Sequence, residues 1–129
     1  MAVSGFRTWI AYQRAFTLAV SIRRLTKTFP DAEKYRLTDQ IIRSSRSICA
    51  NLAEAFGRRQ YPKHYKSKLG DCVTENFETQ VWLDFALEEG YMSEDHYSRY
   101  IEASENLGRL LSYMGRNHRQ YAKPRNSQE

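Results

Sequence analysis

Apolar residues recur along this chain at spacings of three and four, over four long stretches. That period belongs to helices with one buried face and favours a few long helices over many short strands. In the first stretch Ala11, Ala15, Leu18, Ile22, Leu25 and Phe29 follow the spacing of a bundle seam. Trp9, Tyr12, Phe16 and Ala19 form a second row beside it. The predicted helix runs from about Thr8 to Thr28 and presents one wide face to two neighbours. Pro30 ends it by pushing Phe29 out of the helical region. Asp31 to Arg36 reads as a connection, with a helical turn around Glu33.

The second helix is expected over 38–57, with Thr38 as its N-cap and Asp39 in the dipole-favoured first turn. Gly57 is placed to stop it in the left-handed conformation. Its core row is Ile41, Ser45, Ile48, Leu52 and Ala55, with Ile42 and Cys49 alongside. The third helix is expected over 62–89, from Pro62 at the first helical position to a stop at Gly90. Tyr65, Leu69, Cys72 and Asn76 lie on one of its rows, and Val73 and Phe77 on the next. From Val81 to Leu87 it is apolar almost all round, broken only by Asp84. A monomer's surface helix needs one apolar stripe, so Trp82 and Phe85 predict a second buried face, an oligomer interface. The fourth helix follows the N-cap Ser93 over 94–121. Tyr97, Tyr100, Ile101, Leu107, Leu110, Leu111 and Met114 supply its core, and Ser104, Gly108 and Ser112 permit close backbone approach. The fold class is all-α: an antiparallel up-down-up-down four-helix bundle, one domain over 1–121, with a polar flexible tail at 122–129.

Composition narrows the class without changing it. With 129 residues, 41% of them apolar, the chain can bury one core and is too apolar for disorder. No stretch reaches the roughly 20 apolar residues that cross a bilayer. Gln13 and Arg14 break the only early apolar run, which argues against a signal peptide. No membrane association is expected, and the cytoplasm is the expected location. Cys49 and Cys72 sit among apolar neighbours without a Cys-x-x-Cys pair, and read as buried free thiols.

Charge alters the picture more. The net charge is +5, yet residues 1–68 carry fourteen Lys/Arg against four Asp/Glu, and residues 69–115 carry two against ten. The tail from Arg116 carries four against one. Such polarity suggests complementary packing within or between subunits, an anionic partner, or both; solvated charged faces are the bland alternative. The sharpest cluster is Arg58, Arg59, Lys63, His64, Lys66 and Lys68, acid-free and interleaved with Tyr61 and Tyr65. It combines phosphate-neutralising charge with rings that stack on bases. Arg14, Arg43 and Arg46 add charge along the bundle, as do Arg23, Arg24 and Lys27.

Catalytic signals are lacking. His64, His96 and His118 show no metal-ligand spacing, and there is neither a His-Glu-x-x-His nor a glycine-rich phosphate loop. Asp95 and His96 are adjacent and so do not face each other on a helix. No cofactor or metal is expected. Gln40, Arg43, Ser47, Asn51 and Glu54 form a polar stripe along the second helix. It is either a solvated face with local hydrogen bonds or a buried network fixing register.

The same stretch carries a family resemblance. Gln40-Ile41-x-Arg43, then Ser47-Ile48-x-Ala50-Asn51-Leu52-Ala53-Glu54-Ala55-Phe56-Gly57-Arg58, resembles the signature of the bacterial four-helix-bundle family of 23S rRNA intervening-sequence proteins. Tyr12-Gln13-Arg14-Ala15, Thr28-Phe29-Pro30, Glu33-x-Tyr35-x-Leu37 and the segment from Ala86 to Gly90-Tyr91 extend the similarity over about Phe6 to Met114. Ala55 departs from the family's usual glycine, and the small-residue pattern is loosened around Cys72, Thr74 and Glu75. The resemblance implies a bundle that assembles as a ring, commonly a homopentamer. Some members are encoded within 23S rRNA gene insertions. Others are accessory proteins of diversity-generating retroelements, associating with nucleic acid and a reverse transcriptase. None is an established enzyme. The expected function is therefore a non-enzymatic, oligomeric protein that binds RNA or an RNA–DNA hybrid through Arg58, Arg59, Lys63 and Lys66. The alternative is a protein-interaction scaffold without nucleic-acid affinity, in which acidic and basic halves of neighbours meet.

Overall fold

Apolar rows of this length can be buried only against one another, and four helices do so. The computed structural model describes residues 3–122. A 3-10 turn at Gly5–Thr8 precedes α1 (Ile10–Thr26), and a second at Asp31–Glu33 leads into α2 (Leu37–Gly57). Then follow α3 (Pro62–Glu88), α4 (Glu94–Arg116) and a short α5 (His118–Ala122). There is no strand among the described residues. Each long helix packs against the next, and α4 returns to α1, which makes the antiparallel four-helix bundle. The α2–α3 seam is the most extensive and the α1–α4 seam the least. Residues 123–129 of the expected tail lie outside the described residues.

Several helix ends depart from expectation for local reasons. Helix α1 begins at Ile10 because Thr8 closes the preceding 3-10 turn, its hydroxyl donating to the Gly5 carbonyl at 2.7 Å. Thr38 is not an N-cap. The turn at Asp31–Glu33 runs directly into α2 at Leu37, whose side chain is buried. Gly57 does not adopt the left-handed conformation; among the described residues only Gly5 and Gly90 have positive φ. Helix α2 ends instead with the Arg58 N–H on the Glu54 and Ala55 carbonyls and the Arg59 guanidinium donating to the Phe56 carbonyl at 3.1 Å. These bonds satisfy the orphan carbonyls without a left-handed residue. Gly90, at φ +77°, does terminate α3. The Tyr91 N–H reaches the Ala86 carbonyl and the Gly90 N–H that of Leu87, as in a Schellman cap. Ser93 caps α4 by accepting from the His96 N–H. Helix α4 stops at Arg116 rather than Tyr121, and Asn117 turns the chain while its side chain donates to the Tyr113 carbonyl.

The core follows the apolar rows: Ala11, Ala15 and Ile22 of α1, Ile41, Ile48 and Leu52 of α2, Tyr65, Leu69 and Leu83 of α3, and Leu107, Leu111 and Met114 of α4 are buried. Full burial of each Ile, Leu or Met side chain contributes about 1.5–3 kcal/mol. Phe77, expected beside that core, is instead exposed, as are Val81 and Phe85. The reason is a set of buried polar contacts that fix which way α3 faces. Asn76 donates to the Ser104 carbonyl at 2.9 Å, and the Ser104 hydroxyl returns a bond to Asn76 Oδ1 at 2.7 Å. Gln80 donates to the same hydroxyl at 2.9 Å. On the other side, the Thr79 and Ser44 hydroxyls lie 2.8 Å apart. The small-residue row of α4 makes room for this: a Cβ on Gly108 would lie 3.3 Å from Asn76 Nδ2.

Both cysteines are free, Cys72 buried and Cys49 half-buried. Burial pushes the Cys49 thiol up to about 11 and, with Asp71 nearby, that of Cys72 to about 12. Alkylation at pH 8 should therefore run at least about a hundredfold slower in the native protein than in denaturant; comparable rates would show that the thiols are open.

Replacing a buried hydrogen-bonding partner leaves the other unsatisfied, at roughly 1–3 kcal/mol. Asn76→Ala should lower unfolding free energy by that amount in urea titrations, and a cycle with Ser104→Ala should reveal coupling. Asn51→Ala, on the outer stripe, should cost under about 0.5 kcal/mol.

Candidate nucleic-acid interface

One end of the bundle is built around an aromatic plug. The indole of Trp9 meets Phe56, Tyr65 and Tyr121 edge-on, with ring centroids 5.2, 6.3 and 5.8 Å away. Phe6 packs on Tyr12 and Phe56 from the first turn. Tyr65 is fully buried at the start of α3, and its hydroxyl donates to the Met114 carbonyl at 2.9 Å. The His118 ring lies 4.9 Å from the Tyr65 ring, and its Nε2 is 2.7 Å from the Arg59 carbonyl oxygen. Gln60 donates to the Ala122 carbonyl at 2.7 Å. These contacts draw the α2–α3 turn and the α4–α5 corner together.

Cations surround the plug. Arg58, Lys63 and Lys66 are exposed on the turn and first turns of α3, and Arg116 and Arg119 are exposed on the facing corner. None of these five forms an ion pair among the described residues. Lys66, Arg116 and Arg119 converge on a pocket of about 400 Å³, lined otherwise by Asn117, His118 and Gln120. Tyr61 is exposed beside them, its ring 6.0 Å from that of His64. Neither segment 58–66 nor segment 116–122 contains an acid.

The other residues singled out from sequence are placed differently. Arg59 is half-buried with its guanidinium 3.8 Å over the Phe56 ring, so it caps and packs α2. Arg43 is spanned by Glu75 and Glu78 of α3, at 3.2 and 2.5 Å, and its hydrogen bond holds the Glu78 carboxyl below the usual range. Its charge is already matched within the chain. Arg14 lines the α1–α4 groove and Arg46 the α1–α2 groove, and neither lines the pocket shared by Lys66, Arg116 and Arg119. Of the polar stripe, Gln40, Ser47 and Asn51 are half-buried and Glu54 exposed. Asn51 donates to the Ser47 carbonyl and hydroxyl, and Glu54 pairs with Lys68 at 3.0 Å. The stripe is thus a partly solvated face with local bonds, and the buried network lies one row away. Trp82 is half-buried and donates to Glu78, 6.1 Å ring to ring from the exposed Phe85.

Arg116, His118 and Arg119 are not part of the basic cluster read from the sequence. Their signal was the basic balance of the chain from Arg116 onward, but only the break at Asn117 brings them against α3. No group of three His, Cys, Asp or Glu among the described residues could hold a metal ion. Nor is any helix among them long and apolar enough to cross a membrane.

Residues 7–113 match the family model described as 23S rRNA-intervening sequence protein. The chain belongs to that family. A crystal structure from Bacteroides thetaiotaomicron, described as a protein of unknown function from the S23 ribosomal protein family, superposes with a TM-score of 0.76. It is 27% identical, over 84% of this chain and 96% of the other. No curated protein matches. In this family member the matched region ends just before the α4–α5 corner, so Arg116 and Arg119 lie beyond it.

Tyr65→Phe removes the donor that ties α3 to the last turn of α4. It should lower stability by about 0.5–1.5 kcal/mol, with faster amide exchange over 116–122 than over the core of α4. Unchanged exchange there would show that the corner is held by other contacts.

Proposed function

We propose that this protein is a non-enzymatic, self-associating bundle subunit that binds nucleic acid, RNA or an RNA–DNA hybrid, through the basic end described above. The observation that supports this most is the meeting of two acid-free segments, 58–66 and 116–122, some fifty residues apart in sequence. Cations of both, without ion pairs among the described residues, stand around one aromatic plug that joins the segments. Phosphate groups are the common anions that such a spread of Lys and Arg matches, and Tyr61 offers an exposed ring on which an unpaired base can stack. Arg58, Lys63, Lys66, Arg116 and Arg119 contact the backbone in this reading, whereas Arg59 and Arg43 do not. Backbone contact of this kind carries little sequence information. The exposed apolar residues of α3 support the self-associating half of the reading.

Fluorescence anisotropy with a short labelled RNA tests it. Binding at low salt should weaken with a log–log slope of about −0.7 per neutralised phosphate for a single strand. Lys63→Glu with Lys66→Glu, and separately Arg116→Glu with Arg119→Glu, should each lower affinity and flatten that slope by at least about 0.7. Arg43→Gln should leave the slope unchanged. An absence of binding at low salt, or slopes equal in all variants, would leave the protein-scaffold reading in its place.

A further inference from the structure

The pocket at the plug end is one-sided in charge. Lys66 comes from α3, Arg116 from the last turn of α4 and Arg119 from α5, so three separate elements bring one cation each to about 400 Å³. No Asp or Glu lies within four residues of any of the three. An acid one helical turn away would partner such a cation, and none is there to do so.

The neutral lining is fixed by bonds to the bundle. The Tyr113 hydroxyl donates to Gln120 Oε1 at 2.7 Å, which occupies the acceptor of that amide and leaves its nitrogen to donate. Asn117 is held by its bond to the Tyr113 carbonyl. His118 Nε2, 2.7 Å from the Arg59 carbonyl oxygen, carries its proton toward that oxygen, so the ring is pinned against the plug. A lining ordered in advance spends less of its binding energy on being ordered by a ligand.

An internal phosphodiester carries one charge and has a sugar on either side, so it lies across a surface. A phosphate monoester at a strand end is tethered on one side only and can enter a pocket. It carries about −1.5 to −2 charges at pH 7 and three strong acceptor oxygens. Two guanidiniums and one ammonium answer that anion better than a diester, because each guanidinium can pair two of its oxygens at once. We infer that this pocket holds the terminal phosphate monoester of a nucleic-acid strand, with Arg58, Lys63 and Tyr61 against the nucleotides that follow. The inference rests on the nucleic-acid half of the proposed function and adds to it a preference for phosphorylated strand ends.

Competition against one labelled RNA, read by anisotropy, tests it. The competitors are a short unstructured RNA with a 5′-phosphate, the same RNA with a 3′-phosphate, and the same RNA with hydroxyls at both ends. A hydroxyl-ended RNA about two nucleotides longer matches the added charge. At least one phosphorylated form should bind about tenfold or more tighter than both hydroxyl-ended RNAs, and which one it is names the end that is held. Arg116→Gln with Arg119→Gln should bring that ratio close to one. Lys63→Gln should weaken all forms together and keep the ratio. If the double variant fails to fold by circular dichroism, Lys66→Gln alone should reduce the ratio severalfold. Equal binding of all ends, a gain matched by the longer RNA, or a ratio that the pocket variants retain would overturn end recognition while leaving nucleic-acid binding in place. No binding of any RNA at low salt would overturn both.

Discussion

The reciprocal hydrogen bonds between Asn76 and Ser104 fix the rotation of α3, and the placement of the exposed surfaces depends on that rotation. A buried amide cannot be left unpaired without losing its full hydration. The helix is therefore committed to the one register in which Asn76 faces α4 and Thr79 faces Ser44 of α2. Apolar packing alone would not choose so sharply, because the stretch from Val81 to Leu87 is apolar on most sides. With Leu83 and Ala86 turned inward, Val81 and Phe85 must face out. The same register sets Glu75 and Glu78 against Arg43, which matches that arginine's charge within the chain.

Charge then divides the molecule into regions of opposite sign. The acidic second half contributes α3 beyond Leu69 and most of α4, and the basic first half contributes α1 and the α2–α3 turn. The ion pairs of Arg43 and Lys68 show that part of this polarity is spent inside the bundle. Other cations gather in two places among the described residues, the α1–α2 groove and the end where Lys66, Arg116 and Arg119 share a pocket, while Arg14 and Arg99 line the α1–α4 groove. The nucleic-acid binding proposed above draws on the second of these and leaves the groove cations aside.

Much of the fold was legible in the sequence because it follows from period and punctuation. The core rows of α2 and α4, the inner row of α1, the proline at the start of α3 and the stops at Gly90 and Ser93 need only local chemistry, whereas Phe16 of the second α1 row is exposed instead of buried. Gly57 and Thr38 misled because residues favoured at helix ends are not obliged to act there when a neighbouring contact satisfies the backbone instead. Phe77 misled because hydrophobicity was allowed to choose a face that Asn76 had already chosen. The basic cluster was half visible: Arg58, Lys63 and Lys66 are contiguous, but Arg116 and Arg119 join them only through the turn at Asn117 and the plug. Arg59 shows the limit most clearly, since composition cannot tell a phosphate contact from a guanidinium laid on Phe56.

Hydrogen–deuterium exchange of the protein with and without a short RNA tests the central claim, that the plug end is where this family member meets nucleic acid. Protection is expected in peptides covering 58–66 and 116–122, with the exposed apolar residues of α3 and the Arg43 face unchanged. Protection centred on another surface, or none at saturating RNA and low salt, would contradict it.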